Sequence, residues 1–139
     1  MDDEQSGHLQ IGEVALRTEL SVRTVRHYHD VGLVTPSERS AGGFRLYTEA
    51  DIQRLLVIRR MKPLGFTLAE MKDLLESLDT IENSSATAQQ RRHALDILDQ
   101  CRVKAEESSA TLRRNLAYAE ELTELLTTRS AQTASTTTR

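Results

Sequence analysis

The chemically most informative stretch of this chain runs from Ser21 to Val34 and reads SVRTVRHYHDVGLV. The serine at its start fits the N-cap of a helix, and the glycine near its end fits a helix C-terminus. Between them, apolar residues lie on one side, while Arg23, Thr24 and His27 lie together on the other. Cationic and hydroxyl side chains on one exposed helix face are suited to the groove of a polyanion such as DNA. From these residues alone, an ordinary surface helix remains the alternative.

A second helix is predicted immediately before this segment. Ile11, Val14 and Ala15 have helical spacing, and the pattern ends near Thr18. Only two residues then precede the Ser21 N-cap. Two short helices joined by so tight a turn predict a helix-turn-helix.

A short strand pattern follows the helix pair. Residues 40–43 form a turn signal, after which Phe44 to Tyr47 alternate between apolar and polar residues. This pattern predicts a small β-hairpin, or wing. We expect Phe44 and Leu46 to cover the helix pair, and Arg45 and Tyr47 to project outward.

Two more helices are predicted from their capping residues. Thr48 with Asp51 is a variant of the capping box, and Thr67 with Glu70 is a full one. A proline and a glycine separate the two helices. The composition then turns polar at 79–86, which predicts a linker.

The longest helical pattern runs from Thr87 to about Thr127 without glycine or proline. Alternating steps of four and three residues select a mostly apolar seam, which is typical of a coiled coil. A lone amphipathic helix of this length requires a partner, and a second copy related by a two-fold axis is the simplest one. The seam consists of Ala94, Leu98, Cys101, Ala105, Ser108, Leu112, Asn115, Ala119, Leu122 and Leu126.

The predicted fold class is all-α, or mainly helical. It comprises a winged helix-turn-helix DNA-binding domain with a small β-hairpin wing, followed by a long coiled-coil dimerisation helix. The expected divisions are a disordered tail at 1–8, the DNA-binding domain at 9–78, the linker at 79–86, the dimerisation helix at 87–127 and a disordered, Thr- and Ser-rich tail at 128–139.

Charge and cysteine content narrow the class of protein further. The net charge of the 139 residues is −3, yet His8 to Lys62 contains nine basic and six acidic residues. This local surplus of positive charge favours contact with an anion. A single cysteine excludes an internal disulfide, the first residues, MDDEQSG, are acidic and polar, unlike a signal peptide, and no apolar run approaches the length that spans a membrane. We therefore expect a cytoplasmic protein without a membrane partner.

Three segments together resemble the MerR family of bacterial transcription regulators in their order and spacing: SVRTVRHYHDVGLV, GGFRLYTEADI and LGFTLAEMKDLL. The resemblance is close over about Leu9 to Leu78 and extends to the long helix by architecture only. It implies a dimer that binds palindromic promoter DNA, distorts the spacer between promoter elements and thereby realigns them for RNA polymerase.

The resemblance also implies roles for individual residues. Those expected to contact DNA are Arg23, Thr24 and His27 in the major groove, Arg26 and Tyr28 on phosphates, Arg45 with Tyr47 in the wing, and Arg59, Arg60 and Lys62 in a second contact region. The family usually shows R-Y-Y-E where this chain has R-H-Y-H, so the resemblance supports Arg26 and Tyr28 more than His27.

No cofactor and no metal are expected. Metal-sensing members use cysteines near both ends of the dimer helix, and this chain has none in those regions. Drug-sensing members carry a C-terminal effector domain, and we expect none here. Cys101 is interpreted as a packed seam residue; the alternative is a one-thiol sensor of oxidants or electrophiles, activated by nearby basic residues.

Two other classes of function compete with the regulator. A coiled-coil interaction module would explain the long helix but not the basic wing. We do not expect an enzyme, because the sequence shows no nucleophile–histidine–acid arrangement, no phosphate-binding glycine loop and no paired carboxylates in a plausible cleft.

Overall fold

Five helices and three short strands make up the part of the chain that the structure, a computed structural model, describes: residues 8–35, 38–39 and 42–137. The helices are α1 (Ile11–Thr18), α2 (Val22–Asp30), α3 (Glu49–Met61), α4 (Leu68–Glu82) and α5 (Ala88–Thr137). The strands are β1 (Leu9–Gln10), β2 (Glu38–Arg39) and β3 (Arg45–Tyr47), and a short 3-10 helix spans Lys62–Leu64. The chain divides into two units, Met1–Asp99 and Gln100–Arg139.

The predicted helix-turn-helix is confirmed as α1 and α2. Glu19 ends α1 with a φ of 58°, a left-handed conformation that a non-glycine residue adopts at some cost. Ser21 caps α2, because its Oγ accepts a 3.0 Å hydrogen bond from the Thr24 amide. Gly32, with a φ of 86°, follows α2, and the Leu33 amide donates back to the Tyr28 carbonyl.

The cap of α2 leads to a first prediction. Replacing Ser21 with alanine removes the acceptor for the Thr24 amide and should lower the free energy of unfolding by about 1 kcal/mol. Urea unfolding at one fixed protein concentration measures this. Ser84→Ala, at an exposed turn position, is the control. Equal stability of the two variants would show that the cap contributes nothing.

The hairpin is confirmed, but it is part of a three-stranded antiparallel sheet of order β1-β3-β2. Leu46 pairs with Glu38 on one side and with Gln10 on the other, which makes β3 the central strand. We did not predict β1, because two residues are too short to show a strand period. The predicted turn at 40–43 lies partly outside the described residues, as does the predicted N-terminal tail.

The core of the first unit is apolar and is shared by its four complete helices. Its fully buried members include Val14, Val25, Val34, Ile52, Leu55, Ile58, Met71 and Leu75. Both predicted capping boxes, at Thr48 and at Thr67, are present. Arg17 on α1 binds Glu49 on α3 through two hydrogen bonds of 2.6 and 2.7 Å, and this contact lowers the pKa of Glu49.

The structure corrects two boundaries. Helix α4 continues to Glu82, so only residues 83–87 separate it from α5 in place of the linker predicted at 79–86. Helix α5 begins after Thr87, as predicted, but continues to Thr137 through most of the segment predicted as a disordered tail. Threonine hydroxyls there donate to carbonyls four residues back, for instance from Thr133 to Arg129, and no glycine or proline interrupts the helix. None of the described helices combines the length and the apolar character that a membrane-spanning segment requires.

Candidate nucleic-acid interface

Helix α2 is anchored on one face and exposed on the other. Val25 and Tyr28 are buried against the rest of the first unit, whereas Arg23 and His27 are exposed. Thr24 is half-buried, and its hydroxyl oxygen accepts a 2.8 Å hydrogen bond from Ser21. The helix therefore presents an arginine and an imidazole outward from a fixed backbone.

Four basic side chains of the first unit are well placed to meet an external anion. Arg23 and Arg26 lie on α2, Arg60 lies on α3, and Lys62 begins the 3-10 helix. All four are exposed, and none forms an ion pair with an acid within the described part of the chain. Their field is accordingly not cancelled by a salt bridge.

Arg26 lies beside the wing. Together with β1 and the residues that lead into β3, it lines an open groove of about 290 Å³. The groove residues are Gln10, Ile11, Arg26, Gly43, Phe44 and Arg45. Helix α2 and the wing thus form one continuous surface, as a winged helix-turn-helix requires.

The buried and exposed faces of the wing strand β3 are exchanged relative to our prediction. Tyr47 is 0% exposed, whereas Phe44 is 64% exposed. The inward face of β3 therefore carries Tyr47 and Arg45, and the prediction that both project outward is wrong. Side chains alternate along a strand, so an error of one residue exchanges the two faces. Tyr47 is a core residue and offers no surface to DNA.

Arg45 is largely enclosed as well. Its side chain is 26% exposed, its Nη1 atom is fully buried, and its Nη2 atom lies 3.4 Å from Oδ1 of Asp30 at the end of α2. Sequence reasoning missed Asp30, which carries a negative charge on the helix predicted to bind DNA. Nothing along the chain indicates that Asp30 and Arg45 meet, because they belong to different elements.

Tyr28 is also buried, which contradicts its predicted role on a phosphate. The resemblance supports a DNA contact by Tyr28 more than one by His27, yet His27 is the exposed residue of the two. The reason is that Tyr28 follows Val25 by three residues and shares its buried face.

Burial of these two tyrosines predicts their ionisation behaviour. Burial raises the pKa of both Tyr28 and Tyr47, and the neighbouring Arg45 guanidinium opposes the effect on Tyr47 more weakly. The phenols ionise near pH 10 in the unfolded chain, so the stability that this burial contributes is present below about pH 10. It should be lost as pH rises through the raised pKa of the folded protein.

Phenolate absorbance against pH tests this prediction. Tyr28 and Tyr47 should ionise at a higher pH than free tyrosine, and Tyr47→Phe should remove one of these high-pH steps. If the step that Tyr47→Phe removes instead lies at the pH of free tyrosine, Tyr47 is not buried.

Arg59 holds the helix-turn-helix together. Its Nη1 atom donates a 2.6 Å hydrogen bond to the Thr18 carbonyl and lies 3.7 Å from Glu19 Oε2. Thr18 and Glu19 form the strained end of α1. The structure thus gives the Arg59 side chain an internal contact, whereas Arg60 and Lys62 of the same predicted region form no ion pair within the described residues.

The predicted seam residues on α5 fall into two groups. Ala94 is 2% exposed because it packs within the first unit, so its assignment to a dimer interface is wrong. Four seam residues nearer the start of α5 are partly buried: Leu98, Cys101, Ala105 and Ser108. The five that follow are exposed: Leu112, Asn115, Ala119, Leu122 and Leu126. The second unit thus has exposed apolar side chains along the predicted seam.

No metal site is evident in the described residues, since no three histidine, cysteine, aspartate or glutamate side chains are grouped there as a metal would require. Cys101 is partly exposed.

Comparisons with known proteins agree on one family. The model of the MerR HTH family regulatory protein matches residues 9–78, and that of the MerR DNA-binding region matches residues 52–131. The transcriptional regulator HmrR of Rhizobium leguminosarum bv. viciae is 32% identical over 117 residues, which cover 84% of this chain and 78% of HmrR. The regulator ZntR of Escherichia coli K12 is 44% identical over 66 residues, which cover 48% of this chain and 47% of ZntR.

A solved structure, that of HiNmlR bound to promoter DNA, described as a MerR family regulator lacking the sensor domain, has the same fold. Its TM-score is 0.62 at 24% identity, and the match covers 78% of each chain. The present chain spans less than half the length of the first curated relatives that it matches, between 26% and 47%.

Proposed function

Since the chain belongs to the MerR family of regulatory proteins, we propose that it is a sequence-specific DNA-binding transcription regulator that acts as a homodimer. The observation that carries this proposal is the exposed face of α2. Val25 and Tyr28 fix the helix from behind, while Arg23 and His27 are exposed and Arg26 of the same helix lines the wing groove. A fixed helix with outward basic side chains is what readout of base edges requires.

In this proposal α2 enters the major groove and the other exposed cations hold the backbone. Arg23 and His27 read base edges, with Thr24 beside them, and Arg26 binds phosphate at the edge of the wing groove. Arg60 and Lys62 bind phosphate at a second place, around the end of α3. Phosphate contacts set the register of the protein, and the fewer base contacts give specificity.

Dimerisation is supported by the uncovered apolar face of α5. Leu112, Leu122 and Leu126 are each at least half exposed. Leucines at coiled-coil spacing bury this area when two copies pair, and a two-fold dimer presents two copies of α2 to a palindrome. We therefore assign residues 9–78 to DNA binding and the exposed part of α5 to pairing.

The proposed mechanism is control of transcription initiation through DNA shape. The dimer would bind a palindrome in the spacer between two promoter elements, in the bacterial cytoplasm, and distort that spacer. The distortion changes how RNA polymerase meets the two elements, and its energetic cost depends on the sequence of the spacer.

Capture of genomic DNA fragments on the purified protein, followed by sequencing, tests the proposal. At near-physiological salt, the enriched fragments should share a palindrome that lies between promoter elements. Enrichment that depends only on fragment length would mean binding by charge alone. A protein that is monomeric and enriches no fragment would favour the alternative, a coiled-coil module for a different protein partner.

A further inference from the structure

We propose that Asp30 and Arg45 form a contact that positions the wing against the recognition helix α2, so that Asp30 is required for specific DNA binding although its charge repels DNA. The inference rests on the proposed function and concerns how the same surface is assembled. It reassigns Arg45 from a direct DNA contact to a positioning residue.

The contact joins the two elements that a winged helix-turn-helix must hold in register. Asp30 is the last residue of α2, and Arg45 is the first residue of β3. The 3.4 Å separation between Oδ1 and Nη2 links them directly. Any rotation of the wing relative to α2 changes this separation.

The enclosure of Arg45 argues against a free phosphate clamp. One of the three guanidinium nitrogens, Nη1, is fully buried, and a second, Nη2, faces Asp30. A bidentate contact with phosphate requires two nitrogens on one edge of the guanidinium. Arg26, which lines the same groove, is exposed and forms no ion pair with an acid in the described residues.

Tyr47 completes the enclosure. Its side chain has no exposed surface, and it shares the inward face of β3 with Arg45. Its ring lies edge-on to the His29 ring, with 6.2 Å between the two ring centroids. His29 precedes Asp30 on α2. Two neighbouring residues of the recognition helix thus contact two residues of the wing strand, which makes the contact a small interface instead of a lone surface ion pair.

Electrostatics and positioning predict opposite effects at Asp30. Its carboxylate is 57% exposed, so the pair itself contributes little to stability. If Asp30 acted only through its charge, neutralising it would strengthen all DNA binding, because one repulsive charge is removed. If Asp30 positions the wing, neutralising it weakens binding to the operator while binding to unrelated DNA stays the same or becomes tighter.

The experiment compares Asp30→Asn with Asp73→Asn, which is the same chemical change at an exposed carboxylate on α4. The full chain is titrated with a captured operator duplex and with a scrambled duplex of equal length, at several salt concentrations. We expect Asp30→Asn to raise the Kd for the operator about 3- to 10-fold, to leave the Kd for the scrambled duplex unchanged or lower, and to leave the salt slope unaffected. Asp73→Asn should change neither Kd.

Arg45→Gln completes a double-mutant cycle. It should raise the operator Kd by a similar factor without changing the salt slope, and the double variant should be no weaker than either single variant. Asp30→Glu, which keeps the charge, should recover part of the affinity and serves in place of Asp30→Asn if the latter unfolds.

Two results would overturn the inference. One is operator binding by Asp30→Asn that is as tight as wild type or tighter. The other is a salt slope reduced by about one unit in Arg45→Gln while Asp30→Asn has no effect, which would make Arg45 a phosphate contact. A wild-type protein that does not prefer the operator over the scrambled duplex would instead refute the proposed function.

Discussion

Replacing Leu122 with arginine should make the protein monomeric and weaken operator binding by at least about 100-fold. Leu122 is 55% exposed on α5 and lies on the predicted seam. A charge there would face its counterpart region in a second copy and would have to be desolvated on pairing. Loss of the dimer separates the two recognition helices, so binding to the second half-site no longer benefits from a high effective concentration.

Sedimentation velocity and operator titration on the same samples measure both effects. Ala117→Arg is the matched control, because it adds the same charge to an exposed position of α5 off the seam. It should remain dimeric and bind the operator as wild type does. A Leu122→Arg protein that still sediments as a dimer would place the interface elsewhere on the chain. A wild-type protein that is monomeric would refute the homodimer itself.

Replacing Arg23 with alanine should weaken operator binding by about 1–3 kcal/mol per half-site, or about 5- to 150-fold, and relax specificity at one base position. Arg23 is exposed in the first turn of α2 and has no acidic partner in the described residues. The N-terminal part of a recognition helix is the part that reaches base edges. Because Arg23 makes no internal contact of this kind, its loss should leave folding intact.

Arg92→Ala tests whether the effect is one of charge alone. Arg92 is exposed on α5, and its removal changes the net charge by the same amount. Affinity for the operator and for all of its single-base variants, measured at two salt concentrations, separates the two cases. If Arg23→Ala and Arg92→Ala weaken binding equally at every base, Arg23 does not read sequence.

The corrections at Tyr28 and Tyr47 share one physical cause. Both are aromatic residues with a polar hydroxyl; the family resemblance assigns Tyr28 to a phosphate, and the strand alternation places Tyr47 outward. In the structure their rings fill the first unit, and the exposed aromatic is Phe44 at the entrance to β3. An amphipathic aromatic ring can be placed on either side of a boundary, and only the packing around it decides which.

The sequence by itself determined the features that depend on near neighbours. The caps at Ser21, Thr48, Thr67 and Thr87 involve residues three positions apart, so their hydrogen bonds can be derived from local spacing. The helix-turn-helix, the hairpin and the start of α5 follow from the same kind of local pattern, and so does the family.

Only the tertiary structure decided which residues near the wing are exposed and which are enclosed. Arg59 contacts Thr18 across 41 positions, and Asp30 meets Arg45 between two different elements. The face of β3 that is buried depends on where α1 and β1 lie, because period-2 alternation is equally regular with either face inward. Contacts of this kind arise only when distant segments pack together. The spacing of residues along a single sequence therefore does not predict them.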